Sequence, residues 1–317
     1  MYKYLFVFLL STYSFSQTSV EDAQTYIAKK EYVKAQNEMA AFLQSNPDDL
    51  EAVELLGDAY GHQKKWDDAI AQYQILKQKR PKNANYHYKY GGALGMKALS
   101  ISKIKALTII GDVKEAFHKA AQLDPNHIDA RWALVELYVS LPGIVGGSFS
   151  KALNYAEQLE ELSKVDGYLA KGYVYEYDDE PELAEKYYRL AIQVGGSVTC
   201  YDKLTEFYEG QEQPEKAIGN IEEAKDKHQR NAMHYQIGKV CADYNLQLDK
   251  GEKMLMVYLE NHSAQDGVPK EWAYYRLAQI YKHRNDKTEA LVWINKAISG
   301  LPDIDVFQEE KTIISKL

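Results

Sequence analysis

Small and apolar residues recur along this chain with the spacing of a helical hairpin. In the clearest segment, Leu50 to Pro81, small residues stand at positions 8 and 20 when Leu50 is counted as position 1. Larger apolar or aromatic residues and a final proline fill the other marked positions, giving the set Leu56, Gly57, Tyr60, Ala69, Tyr73, Leu76 and Pro81. The small residues let two helices approach closely, and proline ends a helix because it lacks an amide hydrogen. The pattern therefore predicts two antiparallel helices, A and B, joined by a short turn.

The same spacing recurs through most of the chain. It divides residues 17–302 into eight units: 17–47, 50–81, 84–125, 128–164, 165–196, 198–230, 231–262 and 271–302. All eight prolines then fall at predicted helix boundaries, as expected because an interior proline costs about 3 kcal/mol. Residues 303–317 predict an amphipathic helix that covers the last apolar face, as the terminal cap of a repeat array must.

These repeated positions resemble the tetratricopeptide repeat (TPR), a helical hairpin of about 34 residues. The resemblance implies an all-α fold, a TPR solenoid in which about eight hairpins form a right-handed superhelix with a C-terminal capping helix. An ordinary helical bundle of similar periodicity is the alternative. Much of the tyrosine content, 26 residues against 8 phenylalanines, falls at the packing positions of this repeat.

Residues 84–160 carry a narrower resemblance, to the extracytoplasmic TPR proteins associated with TRAP-type transporters. It rests on residues 117–125 (FHKAAQLDP), followed by Pro142-Gly143, Gly146-Gly147 and Lys151-Ala152. The resemblance implies a periplasmic solute-binding protein as partner. The chain departs from the anchored members of that family because it has no lipoprotein cysteine.

Two insertions interrupt the repeat. Residues 97–111 lengthen helix A of the third unit, or add a short helix after it, and contribute more apolar side chains than a standard unit needs. They can form an added wall, a ligand pocket or a dimer face, or they can pack locally against the second insertion, which is the simpler interpretation. That second insertion, residues 141–148, has three glycines but no phosphate-loop spacing, so we expect a structural turn.

The first 16 residues have the pattern of a secretory signal. Lys3 precedes an apolar run from Leu5 to Leu10, and Ser14-Phe15-Ser16 fits the small-x-small cleavage pattern. The run is far short of the ~20 residues that span a bilayer. We expect cleavage before Gln17 and a periplasmic or secreted protein without stable membrane insertion.

Composition narrows the function. The formal net charge is −8, which disfavours non-specific binding to nucleic acid or to anionic lipid, because neither surface attracts an acidic protein. Two cysteines, Cys200 and Cys241, are expected to be buried and free, and the eight histidines form no metal-binding motif. No nucleophile motif is present, so we predict a protein that is not an enzyme and has no catalytic residue, metal or cofactor.

What remains is a binding surface. In TPR arrays, five positions of helix A line an inner concave groove. Here they supply twelve candidates for partner binding: Glu54, Asp58, Tyr88, Trp132, Glu136, Tyr173, Tyr177, Asp202, Glu206, Tyr235, Trp272 and Tyr275. Acids stand where peptide-carboxylate clamps carry basic residues, so a segment with basic and aromatic side chains is the expected partner. The acids can equally serve only to solvate the groove.

Two functions follow. The first is a scaffold or adaptor that binds a protein or peptide in this acidic, aromatic groove. The alternative is an accessory solute- or lipid-binding component of an envelope transport system, which would use the apolar insertion around Leu99 to Ile110. The sequence leaves the oligomeric state open.

Overall fold

The computed structural model describes residues 19–317, so the predicted signal segment lies outside the described residues. These residues form α-helices and two short 3-10 helices and contain no β-strand, which confirms the all-α prediction. Packing divides the chain into two compact units, one ending at Ser163 and the other running from Lys164 to Leu317. The predicted division into eight repeats stays a prediction.

The first unit contains nine α-helices in its described part. They are α1 (19–28), α2 (Tyr32–Ser45), α3 (Leu50–His62), α4 (Trp66–Lys79), α5 (Ala84–Ser100), α6 (Lys103–Leu107), α7 (Ile110–Leu123), α8 (Ile128–Ser140) and α9 (Phe149–Leu162). A 3-10 helix, Gly143–Val145, separates α8 from α9.

The second unit also contains nine α-helices. They are α10 (Lys164–Tyr177), α11 (Pro181–Val194), α12 (Val198–Gly210), α13 (Pro214–His228), α14 (Ala232–Asp243), α15 (Leu248–Glu260), α16 (Lys270–His283), α17 (Lys287–Gly300) and α18 (Asp305–Ser315). A 3-10 helix, Ala264–Asp266, follows α15.

Neighbouring helices pack as hairpins, as the sequence predicts. The most extensive contacts are those of α3 with α4, α5 with α7, α8 with α9, α10 with α11, α14 with α15 and α16 with α17. The alanines predicted at the close approach of helices A and B are fully buried: Ala35, Ala69, Ala152, Ala184, Ala217 and Ala290. At Gly172, an added Cβ would lie 2.6 Å from the Tyr188 ring, so the glycine is required by the packing.

Prolines lie at helix boundaries, as predicted. Pro181 and Pro214 are the first residues of α11 and α13, where the missing amide hydrogen costs no hydrogen bond. Pro269 is the N-cap of α16. The remaining prolines likewise lie outside helix interiors.

The turns between paired helices share a feature that the sequence pattern does not reveal. A non-glycine residue at positive φ occurs in many of them, including Lys64 (60°), Asp179 (59°), Glu212 (54°) and Asn285 (59°). This left-handed conformation costs about 1–2 kcal/mol for an L-residue. The packing of the paired helices offsets this conformational cost at several turns.

The two insertions lie where the sequence places them, but their apolar side chains are not packed away. Helix α5 is long and α6 follows it, so both predicted forms of the first insertion are present. Leu99 and Ile104 are each 81% exposed and Ile144 is 95% exposed. The expectation that the insertions only pack against each other is therefore wrong for these side chains.

The C-terminal helix α18 covers the end of the second unit, as predicted. Its residues Phe307 and Ile314 are fully buried in a cluster with Ile294 of α17. Glu310 of α18 is also buried and forms an ion pair with Lys282 of α16 at 2.6 Å. The capping helix is thus held by both apolar contact and a charge pair.

Candidate functional site

The first unit carries two of the predicted acids, and the chain itself supplies their cation. Glu54 and Asp58 lie one turn apart on α3, and Lys89 of α5 reaches both, with its Nζ at 2.6 Å from Glu54 Oε1 and 2.7 Å from Asp58 Oδ1. The Tyr73 hydroxyl donates to Asp58 Oδ1 at 2.7 Å. Burial lowers the pKa of Lys89, but the two carboxylates outweigh it and hold the pKa above its ordinary value. This pair of acids is therefore already neutralised in part.

The other candidates of the first unit lie on the two helix A segments that follow. Tyr88 of α5 is half-buried, with its ring 5.1 Å from the His127 ring, and burial raises its pKa. Trp132 of α8 is half-buried, and Glu136, one turn further along α8, is exposed. The predicted residues of this unit thus occupy α3, α5 and α8, which are its successive A helices.

In the second unit, three predicted residues meet at one cavity. Asp202 and Glu206 of α12 and Tyr235 of α14 line a space of about 350 Å³. The remaining lining residues are Thr205, Glu209, Ile221, Ala232, Gln236, Lys239, Val240, Asp266 and Val268. The cavity therefore has an apolar wall and a carboxylate-rich edge, which is the arrangement that receives a cationic side chain with an aliphatic stem.

Asp202 is distinct among the acids of this cavity. Its carboxylate is half-buried and accepts one long hydrogen bond, from Gln236 Nε2 at 3.4 Å. Burial raises the pKa of Asp202. Within residues 19–317 no lysine or arginine forms a direct ion pair with it, although Lys203 and Arg230 partly offset the effect of burial on its pKa from further away.

The neighbouring acids do have cations. Lys239 of α14 donates to both carboxylate oxygens of Glu209, at 2.9 and 3.0 Å. Lys203 pairs with Glu206 at 2.8 Å, on an exposed edge of α12. Asp202 therefore lacks the direct cation partner that Glu206 and Glu209 have, and burial disfavours its ionised form.

The predicted aromatic residues of the second unit divide into exposed and buried sets. Tyr177 of α10 is 56% exposed, and its ring lies 4.7 Å from the half-buried ring of Tyr173. Tyr235 and Tyr275 are only 7% and 6% exposed. These two tyrosines are packing residues, contrary to the expectation of an exposed face, although Tyr235 still borders the cavity.

Trp272 lies beside Tyr275 at the start of α16 and is half-buried. Its ring packs against Phe307 of the capping helix at 5.0 Å, and the Tyr275 ring packs against the same residue at 5.2 Å. The capping helix thus covers much of the aromatic surface that the repeat positions indicate.

The sequence pattern missed the cations that neutralise Asp58 and other acids of the A helices. Lys89 pairs with an acid 31 residues earlier in the chain, and Lys239 with one 30 residues earlier. Arg276 pairs with Asp243 across 33 residues. A separation of about one repeat length between unlike charges on successive A helices is the signal that could have identified them.

A second cavity, of about 570 Å³, lies in the first unit, and the sequence did not indicate it. Arg131, buried at its edge, donates to the backbone carbonyls of Asp124 and His127 and to Gln158, so it ties the end of α7 to α8 and α9. His118 bridges the hydroxyls of Tyr138 and Tyr155 at 2.8 and 3.0 Å. Burial lowers the pKa of His118, which keeps the imidazole neutral near pH 7. His118 and the two tyrosines hold α7, α8 and α9 together through neutral hydrogen bonds, and the charged Arg131 guanidinium adds further ones.

Both cysteines are free and buried, as predicted. Burial raises the pKa of the Cys241 thiol to about 11, so it is protonated near neutral pH. In residues 19–317 no cluster of three or more histidine, cysteine, aspartate or glutamate side chains is arranged to hold a metal ion. Over the same residues, no helix combines the length and the apolar character needed to cross a membrane.

Comparison with known proteins agrees with the repeat pattern. Residues 22–84 match the family model for the tetratricopeptide repeat. No curated protein shows significant similarity to the chain. Among solved structures, a tetratricopeptide repeat protein from Parabacteroides merdae is 14% identical and matches with a TM-score of 0.53, covering 95% of this chain and 98% of that one.

Another solved structure, YrrB, is described as a TPR protein with an unusual peptide-binding site. It is 19% identical with a TM-score of 0.42, covering 62% of this chain and 98% of that one. The narrower resemblance to transporter-associated TPR proteins stays a prediction. Residues 22–84 thus match the repeat's family model, and the fold over nearly the whole chain is that of a tetratricopeptide repeat solenoid.

Proposed function

We propose that this protein is a non-enzymatic extracytoplasmic scaffold, which binds a protein or peptide partner at the carboxylate-lined cavity between α12 and α14. The repeat fold supports the general role, because arrays of helical hairpins present binding surfaces. The amino-terminal signal pattern supports a periplasmic or secreted location. The single observation that carries the binding site is the half-buried carboxylate of Asp202, which faces the cavity without an ion pair in the described residues.

The chemistry of the cavity selects a cationic side chain. Asp202 and Glu206 would pair with a lysine or arginine head, and Tyr235, Val240 and Val268 would contact its stem. Lys239 already pairs with Glu209 and would repel further cations close to it. The site therefore favours a partner with one basic side chain rather than a dense basic run. Tyr173 and Tyr177 lie on α10, which packs on α12, and offer ring faces for an aromatic neighbour.

A peptide panel tests this proposal. The probes are fluorescein-labelled 12-residue peptides that contain one lysine or arginine beside aromatic residues, together with copies in which the cation is replaced by glutamine. Binding to the full chain is measured by fluorescence anisotropy. We expect Asp202→Asn to weaken the binding of cationic peptides by about 30-fold, which corresponds to about 2 kcal/mol.

The control variant is Asp226→Asn, which makes the same charge change on α13, where the Asp226 side chain is 79% exposed and does not line the cavity. It should leave binding unchanged. Equal binding of the cationic and glutamine peptides, or equal effects of the two variants, would overturn the proposal. So would the absence of binding by every cationic peptide.

A further inference from the structure

The first unit presents an exposed apolar tip at one end of its helices. Leu99 lies in the last turn of α5, and Ile104 and Leu107 lie one turn apart on α6. Leu107 is 54% exposed, and the other two are exposed still further. Single exposed apolar side chains are ordinary, but several on one short segment mark an interaction surface.

The second insertion adds to the same end of the unit. Helix α8 ends at Ser140, and the 3-10 helix that follows it carries Ile144, the most exposed of the large apolar side chains. Lys114, in the second turn of α7, donates its Nζ to the backbone carbonyl of Val145 at 2.9 Å. That hydrogen bond places the Ile144 turn beside the start of α7, directly after α6. We call Leu99, Ile104, Leu107 and Ile144 the apolar tip.

The charge around the apolar tip is opposite to that of the chain. Residues 97–111 contain three lysines and no acid, and residues 141–148 contain no charged residue, whereas the whole chain has a net charge of −8. Lys97 is engaged with Asp67. Lys103 and Lys105 are exposed, and within residues 19–317 neither forms an ion pair with a carboxylate. Two uncompensated cations therefore flank the exposed apolar residues of α6.

We propose that the apolar tip docks this protein onto an anionic membrane surface, with Ile104, Leu107 and Ile144 in the acyl boundary and Lys103 and Lys105 at the lipid phosphates. Cations beside exposed aliphatic residues fit the interface of an anionic bilayer, because the aliphatic groups leave water while the ammonium groups stay at the headgroups. Each lysine near such a surface strengthens binding by about five-fold.

The acidic remainder of the chain does not prevent this docking. At physiological ionic strength, exposed charges more than about 8 Å from the surface are largely screened. The positive charge of the lysines at the tip then decides whether the protein is attracted to the membrane. The docking is peripheral and needs no membrane-spanning helix.

Vesicle flotation tests the proposal with the full chain. The probes are vesicles of phosphatidylcholine containing 30% phosphatidylglycerol, and vesicles of phosphatidylcholine alone, at low and high salt. We expect binding to the anionic vesicles that falls at high salt. Lys103→Glu combined with Lys105→Glu should weaken it more than 20-fold, as follows from five-fold for each lysine. Ile104→Asp should weaken it at least 10-fold.

Matched controls separate the tip from general effects. Lys253→Glu combined with Lys270→Glu makes the same charge change at exposed lysines of α15 and α16, and Val194→Asp places an acid at a 54% exposed apolar site on α11. Both controls should float like the parent protein. All substituted side chains are exposed, so circular dichroism should show unchanged folding.

Three outcomes would overturn the docking proposal. One is equal binding to neutral and anionic vesicles, and another is equal loss in the tip and control variants. The third is the absence of binding to anionic vesicles; if Ile104→Asp then also abolishes self-association of the chain, the tip is a contact between two copies. None of these outcomes bears on peptide binding at Asp202, so the two proposals fail independently.

Discussion

A Cβ atom at Gly57 would lie 2.7 Å from Cε1 of Tyr73, closer than any carbon–carbon contact that packing allows. Tyr73 cannot move aside easily, because its ring is buried and its hydroxyl is bonded to Asp58. The absence of a side chain at Gly57 thus sets the distance between α3 and α4. It also holds the tyrosine hydroxyl against the acid pair of the first unit.

Gly57→Ala should therefore destabilise the protein. The gain in helix propensity, about 1 kcal/mol, is smaller than the overpacking of a buried ring, so we expect a net loss of about 1–2 kcal/mol in urea unfolding. Gly61→Ala in the same helix is the control, because its Cβ would lie 3.8 Å from the nearest atom. A stabilised Gly57→Ala protein would contradict this account of the hairpin.

Replacement of Lys89 by methionine should also destabilise the first unit. It leaves the carboxylates of Glu54 and Asp58 half-buried, close together and without their cation, at a cost of about 1–3 kcal/mol. Adding Glu54→Gln and Asp58→Asn to Lys89→Met should recover most of that loss. If Lys89→Met alone unfolds at the same urea concentration as the parent protein, the three charges do not act as a unit.

The left-handed turn residues make a prediction of the opposite sign. Glu212 has φ of 54° and an exposed side chain, so glycine should relieve the strain and raise the free energy of unfolding by about 0.5–1 kcal/mol. Gln211, its neighbour, has φ of −88°, and Gln211→Gly should lower that free energy by a similar amount. Thermal unfolding of the two variants measures the contrast. Equal effects of the two substitutions would show that φ does not control the stability of this turn.

Binding at the proposed cavity should depend on pH through Asp202. Its pKa lies above the ordinary value of 3.8 because the carboxylate is buried, so it takes up a proton as the pH falls from neutral toward that raised value. Affinity for a cationic peptide should fall over the same range, and Asp202→Asn should remove this pH dependence. Isothermal titration from pH 7 to pH 4 measures it. An unchanged pH profile in Asp202→Asn would assign the dependence to another group.

The same raised pKa distinguishes a binding defect from a folding defect. The ionised carboxylate of Asp202 opposes folding at neutral pH, and this penalty is lost as the pH falls from the raised folded-state pKa to the ordinary value of 3.8. Asp202→Asn should therefore be at least as stable as the parent protein at pH 7. A lower melting temperature for this variant would mean that the carboxylate has a structural role.

The repeat spacing predicted the fold because each marked position has one packing task. Glycine or alanine is needed where two helices nearly touch, as at Gly57 and Ala69, and proline is excluded from helix interiors. These requirements are local and recur in every hairpin, so they are visible in sequence. The positive φ of Glu212 could not be predicted, because the position holds neither glycine nor asparagine, the residues that usually adopt this conformation.

The candidate site was less predictable, because repeat position alone does not decide exposure. Tyr235 and Tyr275 occupy positions expected at an exposed inner face, yet neighbouring elements bury them: Tyr258 of α15 packs on Tyr235, and Phe307 of α18 on Tyr275. The negative charge of an acid is likewise compensated by a cation about one repeat away in the chain, as Lys89 does for Asp58. The exposed insertion around Ile104 has no repeat position at all, so the pattern could not place it.

Site-specific photocrosslinking tests the central claim most directly. A benzophenone amino acid replaces Gln236, which lines the cavity, or Lys253 on the exposed face of α15 as the control, in cells of the source organism. The account predicts that position 236 captures a segment containing a lysine or arginine, that Asp202→Asn reduces its yield, and that position 253 does not capture it. Capture of a segment without a cation, or a yield unaffected by Asp202→Asn, would contradict the account.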